Sequence, residues 1–280
     1  MEALANWTIG YGSVGNGLNL ERIDYELLMR TSKMQYKKTC LLLMFFSLSM
    51  IFGLFNVRAQ TDVLQAVDKT TQFLIFNWST DNELKKMKAP QVLPLAAGSK
   101  VYGACGERVR GIEVSGSAYC GSTNTVYLVP EELLDFYKAF GPSAVAYVVA
   151  HEFGHAIQTA LNINLKGPAR ELQADCLAGM IFKKGSKELE ITRNNVISMA
   201  QTAYAIGSDS HGSGAARSYA LLSGMGVFKA SCSNLVMQKL AAGQINDPEL
   251  AMLNQQRSGS NKTNINDSPY PKTLKTALGL

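Results

Sequence analysis

Two of the three histidines in this 280-residue chain stand four apart, in Ala150-His151-Glu152-Phe153-Gly154-His155-Ala156. On a helix that spacing projects both imidazoles from one face, one turn above the other. Such a pair can grip one metal ion without bending the helix, and Glu152 falls beside it, able to reach a water instead of the metal. Upstream, Val145, Tyr147, Val148 and Val149 are apolar, as a buried helix needs. Burying a polar triplet in such a helix is costly unless each member is paired or ligating. Any fold for this chain must therefore bring partners to His151, Glu152 and His155.

A catalytic zinc site usually has three protein ligands and one open position. No other histidine lies near, so the third ligand is expected to be a carboxylate from the next helix. Glu171-Leu172-Gln173-Ala174-Asp175 supplies one. Glu171 and Asp175 are also four apart and share a helix face, with apolar Leu172, Ala174, Leu177 and Ala178 around them. Glu171 is expected to bind the metal, and Asp175 to accept the free ring N–H of a ligand histidine, His151 being the best placed. The alternative for two acids one turn apart is a solvated helix face.

The surroundings read as one α+β domain over residues 60–250: a small antiparallel strand region, then a helical bulk. A helix is expected over 61–89, after which Pro90 and Pro94 break the chain. Val101-Tyr102-Gly103, Gly111-Ile112-Glu113-Val114 and Thr125–Val129 have the texture of short strands. Pro130 opens a short helix. Gly141-Pro142 and Gly167-Pro168 each end one element and start a helix, the first running to about Leu161 and the second to about Lys183. Helical patterns follow over 188–206 and 214–230, and residues 251–280 read as a polar tail. The chain is 46% hydrophobic and 18% charged, which excludes a disordered chain, a collagen or a coiled coil. Its formal charge of +5 is too weak and scattered for a nucleic-acid protein.

The front end reads as an address. Lys37-Lys38-Thr39-Cys40, an apolar run from Leu41 to Phe55, and a small residue at Ala59 make a secretory signal over residues 34–59. Residues 1–33, upstream of Met34, are expected to be an extension of the true start. The alternative is an uncleaved signal-anchor, with residues 37–55 holding the protein to a membrane. In either case the domain is expected outside the cytoplasm, periplasmic or secreted. Apart from Cys40 there are four cysteines, Cys105, Cys120, Cys176 and Cys232, an even number that suits two disulfides in that compartment. Three pairings are open, or four buried thiols. A local Cys105–Cys120 bridge is the simplest arrangement and would leave Cys176 to join Cys232, tying two helices together.

The run His151-Glu152-Phe153-Gly154-His155-Ala156-Ile157-Gln158, followed by Glu171-Leu172-Gln173-Ala174-Asp175-Cys176-Leu177-Ala178-Gly179, resembles the neutral zinc metallopeptidases of bacteria. These are zincin-like peptidases of the gluzincin kind, with two His and one Glu as ligands. The likeness extends to Asp209-Ser210-His211-Gly212-Ser213, to Tyr119-Cys120 and to Thr125-Val126-Tyr127-Leu128, covering roughly residues 100–235. It departs at Gly121–Thr125, which lacks the family's Pro and Asp, and at Met180-Ile181, where an aromatic is usual. The resemblance implies Zn²⁺ on His151, His155 and Glu171, Glu152 as general base, and a peptide or protein substrate. It also implies that His211 donates a hydrogen bond to the oxyanion that forms; a helix cap or surface position is the alternative. Two rival functions remain at this level: a catalytically silent, metal-stabilised binding domain, and a zinc amidase acting on cell-wall material.

Overall fold

Residues 58–101, 112–113 and 115–255 are described by the structure, a computed structural model. The extension, the signal segment up to residue 57, Cys105 and residues 256–280 lie outside them. Helix α1 occupies 58–80 and buries Val63, Leu74 and Trp78. It ends nine residues before the expected 89. The side chain of Asp81 accepts from the amides of Glu83 and Leu84 at 3.0 and 3.1 Å and turns the chain into a short 3₁₀ segment, Leu84–Lys86. That local bond outcompetes continuation of the helix.

The two prolines expected only to break the chain instead bracket a strand, β1 (Gln91–Pro94). Two short strands, β2 (Lys100–Val101) and β3 (Ile112–Glu113), form a separate antiparallel ladder. They are followed by β4 (Ala118–Cys120) and β5 (Thr125–Leu128). The main sheet has the order β1-β5-β4: β4 pairs antiparallel with β5, and β1 pairs parallel with it. The strand region is therefore mixed, where a purely antiparallel one was expected. The connection from 95 to 124, which includes β4, is long enough for the crossover that a parallel pair requires, and Pro94 is tolerated because β1 is an edge. Strand β5 is central and buried along its whole length.

Seven further helices follow: α2 (Pro130–Phe140), α3 (Pro142–Ala160), α4 (Pro168–Lys184), α5 (Arg193–Ala205), α6 (Gly214–Gly224), α7 (Asn234–Ala241) and α8 (Pro248–Gln255). The Gly-Pro devices work as expected. Gly141 and Gly167 have φ of +81° and +55°, and the prolines after them occupy the first helical turns of α3 and α4. The helix expected over 214–230 stops at Gly224, where the chain turns through Gly226 at φ +77°. Helices α7 and α8 add Met237, Leu240, Leu250 and Leu253 to the core, so packing continues past residue 251, into the stretch expected to be tail.

Two close crossings fix where the chemistry sits. A Cβ at Gly154 on α3 would lie 2.7 Å from the Ala174 carbonyl oxygen and 3.0 Å from its Cα, so only glycine lets α3 approach α4 this nearly. Between α4 and α6, Gly179 and Gly224 serve the same purpose, against Leu221 O and Cys176 O. Cys176 on α4 is also bonded to Cys232, just before α7, with 5.6 Å between their Cα atoms. This is one of the two expected bridges; the other falls on Cys105, outside the described residues.

Candidate metal centre

The approach of α3 to α4 turns three side chains inward together. His151 and His155 project from one face of α3, their rings edge to face with centroids 4.7 Å apart. Glu171, in the first turn of α4, points between them: its Oε2 lies 3.3 Å from His151 Nε2 and 3.2 Å from His155 Nε2. Zinc bonds of about 2.0–2.2 Å at tetrahedral angles place neighbouring donor atoms about 3.3–3.5 Å apart. Both Glu171 separations match that spacing, all three donor atoms lie within 4.8 Å of one another, and two imidazole nitrogens with one carboxylate oxygen suit such an ion in chemistry. The outer ring nitrogens are already engaged. His151 Nδ1 is 2.7 Å from Asp175 Oδ1, and His155 Nδ1 is 2.9 Å from Gln158 Oε1. With Nδ1 engaged by an acceptor, the proton that each ring would give up to a metal is the one on Nε2, whose lone pair then faces inward.

Electrostatics hold the group in that arrangement. Burial pushes the Glu171 carboxyl up, but hydrogen bonds from both histidines hold it well below the usual carboxylate range. Asp175 is buried too, yet the Arg217 guanidinium and His151 keep it down at about 2. Burial would lower His151, and the Asp175 carboxylate reverses that, pushing it up to about 9. A metal must therefore compete with a proton for this ring.

Sequence reasoning found His151 as a partner of Asp175 and missed the other two. Arg217 Nε and an outer nitrogen of the same guanidinium lie 2.9 and 3.0 Å from its two oxygens, and Tyr147 donates its hydroxyl hydrogen to Oδ1 at 2.5 Å. Signals existed. Tyr147 is one turn before His151 on the same face, and Arg217 is the lone charge in Ala215-Ala216-Arg217-Ser218-Tyr219-Ala220-Leu221, an apolar helix with no evident use for it.

Glu152 is buried beside the trio without joining it. Its Oε2 accepts from the Tyr119 amide of β4 at 2.7 Å. Burial raises its pKa, against the pull of both histidines and that amide. A carboxylate of raised basicity next to a metal trio can accept a proton. Glu152 opens onto a cleft of about 340 Å³ walled by β4, α2, α3, α4 and α6. His211 lies on the same cleft, in an exposed turn closed by Ser208 and Gly212, with Nδ1 at 3.0 and 2.8 Å from the hydroxyls of Ser208 and Ser210. The strand bordering the cleft is the edge strand β4, through Ala118 and Tyr119; β5 is central and buried. Met180, at a departure from the family pattern, is half exposed and lines a separate apolar groove.

Residues 78–170 match the family described as "Putative neutral zinc metallopeptidase". The match takes in His151, Glu152 and His155 and stops one residue before Glu171. Two curated relatives are similar: the "Uncharacterized protein YpfJ" of Escherichia coli strain K12 and that of Escherichia coli O6:H1 strain CFT073. Each is 30% identical over 118 residues, 35% of this chain and 41% of the relative. The chain thus spans about two fifths of the length of the curated relatives it matches. No solved structure gives a significant match.

Proposed function

We propose that this chain, a distant relative of YpfJ and similar over residues 78–170 to the neutral zinc metallopeptidases, hydrolyses peptide bonds with zinc held by His151, His155 and Glu171. The carrying observation is the convergence of three donor atoms on one cleft with a buried, separately held carboxylate beside them. Zinc, when bound, supplies a Lewis acid that polarises a carbonyl and makes water a stronger acid. Glu152 takes the proton from the attacking water and passes it to the leaving amine. The Tyr119 amide orients Glu152 for this by fixing one of its oxygens. His211 donates to the developing oxyanion from the cleft wall, and the edge strand β4 takes an extended peptide by backbone pairing.

A silent binding domain would need the ligands but not a buried carboxylate beside them, since an acid with no task costs stability. Export is supported by the Cys176–Cys232 disulfide and by the basic and apolar pattern of residues 37–60. Among the described residues no helix is long and apolar enough to cross a membrane. The test is Glu152→Gln in the full chain: zinc content stays at the wild-type level while peptide turnover drops at least about 100-fold. Retained turnover removes Glu152 from the chemistry. Assaying casein, short peptides and peptidoglycan fragments side by side separates a peptidase from a cell-wall amidase.

A further inference from the structure

The two ligand histidines are held differently. His151 leans on a carboxylate, Asp175, whereas His155 leans on a neutral amide, Gln158. The second contact is the end of a longer chain of bonds. Gln158 Nε2 donates to the Arg170 carbonyl at 2.8 Å and to Gln173 Oε1 at 3.1 Å. Gln173 Nε2 in turn donates to the Cys232 carbonyl at 2.9 Å and to Asn234 Oδ1 at 2.8 Å. Both glutamines are almost wholly buried, at 1% and 2% exposure.

The polarity of this chain follows from its ends. A backbone carbonyl can only accept, so the Arg170 and Cys232 carbonyls oblige each glutamine to turn its NH₂ toward them. Gln173 must then offer its oxygen to Gln158, and Gln158 its oxygen to His155. An oxygen facing Nδ1 requires a proton there, so a neutral ring carries its lone pair on Nε2, the nitrogen that otherwise donates to Glu171 at 3.2 Å. The far end is pinned as well: Cys232 is disulfide-bonded to Cys176, one turn after Gln173 on α4.

We propose that Gln158 and Gln173 are positioning residues that form a one-way amide relay, fixing the tautomer and ring plane of His155 from the disulfide-pinned segment before α7. The proposal rests on the metal reading above. The relay sets the second imidazole without adding another negative charge to a site that already holds Glu152, Glu171 and Asp175. Outer partners of this kind typically change metal affinity 10- to 100-fold when removed.

The test uses the full chain, with zinc affinity measured by competition against a chelator and ligand geometry read from the visible spectrum of the Co²⁺-loaded protein. Gln158→Met should weaken zinc about 10- to 100-fold and shift the cobalt bands. Gln173→Met, which leaves Gln158 its bond to Arg170, should move both readouts the same way but less. Gln158→Glu, which restores an acceptor for His155, should recover part of the cobalt spectrum. Wild-type affinity and an unshifted spectrum in Gln158→Met overturn the relay alone; if that variant does not fold, the same result in Gln173→Met does so. A wild-type chain that binds neither ion overturns the relay together with the metal reading beneath it.

Discussion

At the scale of single residues, the site depends on charges that tolerate burial only because each has a matched partner. Arg217 grips both oxygens of Asp175, and Asp175 grips His151. Truncating one member of a buried pair typically costs about 3–5 kcal/mol, because the other charge is stranded. Arg217→Met should therefore lower stability by roughly that amount in urea unfolding. Arg217→Lys should fall between it and the wild type, since an ammonium keeps the charge and loses the fork. The same pair sets an acid limit. The folded Asp175 carboxyl sits near 2 against an ordinary 3.8, a depressed value, so its contribution is complete above about pH 4 and is lost as pH falls toward 2. The lost share is about 2 kcal/mol. Melting temperatures followed from pH 6 to pH 2 should fall more steeply in the wild type than in Asp175→Asn; equal slopes would remove Asp175 from the acid limit. His151, Glu152 and His155 were legible from sequence because one helix carries all three and the two histidines, four apart, must share a face. Arg217 was not, because its partner lies 42 positions away and no local pattern connects them.

At the scale of elements, glycine placement decides how the helices meet. Gly154 sits where α3 touches the α4 backbone, between the histidines of one helix and the carboxylates of the other. Gly154→Ala should push the two helices apart, at about 1–3 kcal/mol of stability, and should weaken zinc binding at the same time. Calorimetry and a chelator titration on this one variant check both; an unchanged zinc affinity would mean that the crossing does not set the ligand spacing. Helix starts could be read because Gly-Pro is a local signal with a local cause. Strand β1 could not. Three residues between two prolines look like a break, and only the distant partner β5 makes them part of a strand. The end of α1 was hidden for a similar reason: one Asx bond at Asp81 overrides an apolar pattern that continues to Leu84.

At the scale of the whole molecule, the strand layer walls one side of a cleft whose floor is α3, while α4 and α6 bring in the other charges from positions far apart in sequence. The disulfide joins α4 to the segment before α7, and α7 and α8 close the core behind it. The proposed chemistry requires His151, His155 and Glu171 to share one ion. Zinc content measured on the dialysed full chain and on Glu171→Ala addresses this most directly. Near-stoichiometric zinc in the wild type and its loss in the variant, with the fold retained by circular dichroism, is the predicted result. A Glu171→Ala protein that keeps its zinc at the wild-type level would contradict it.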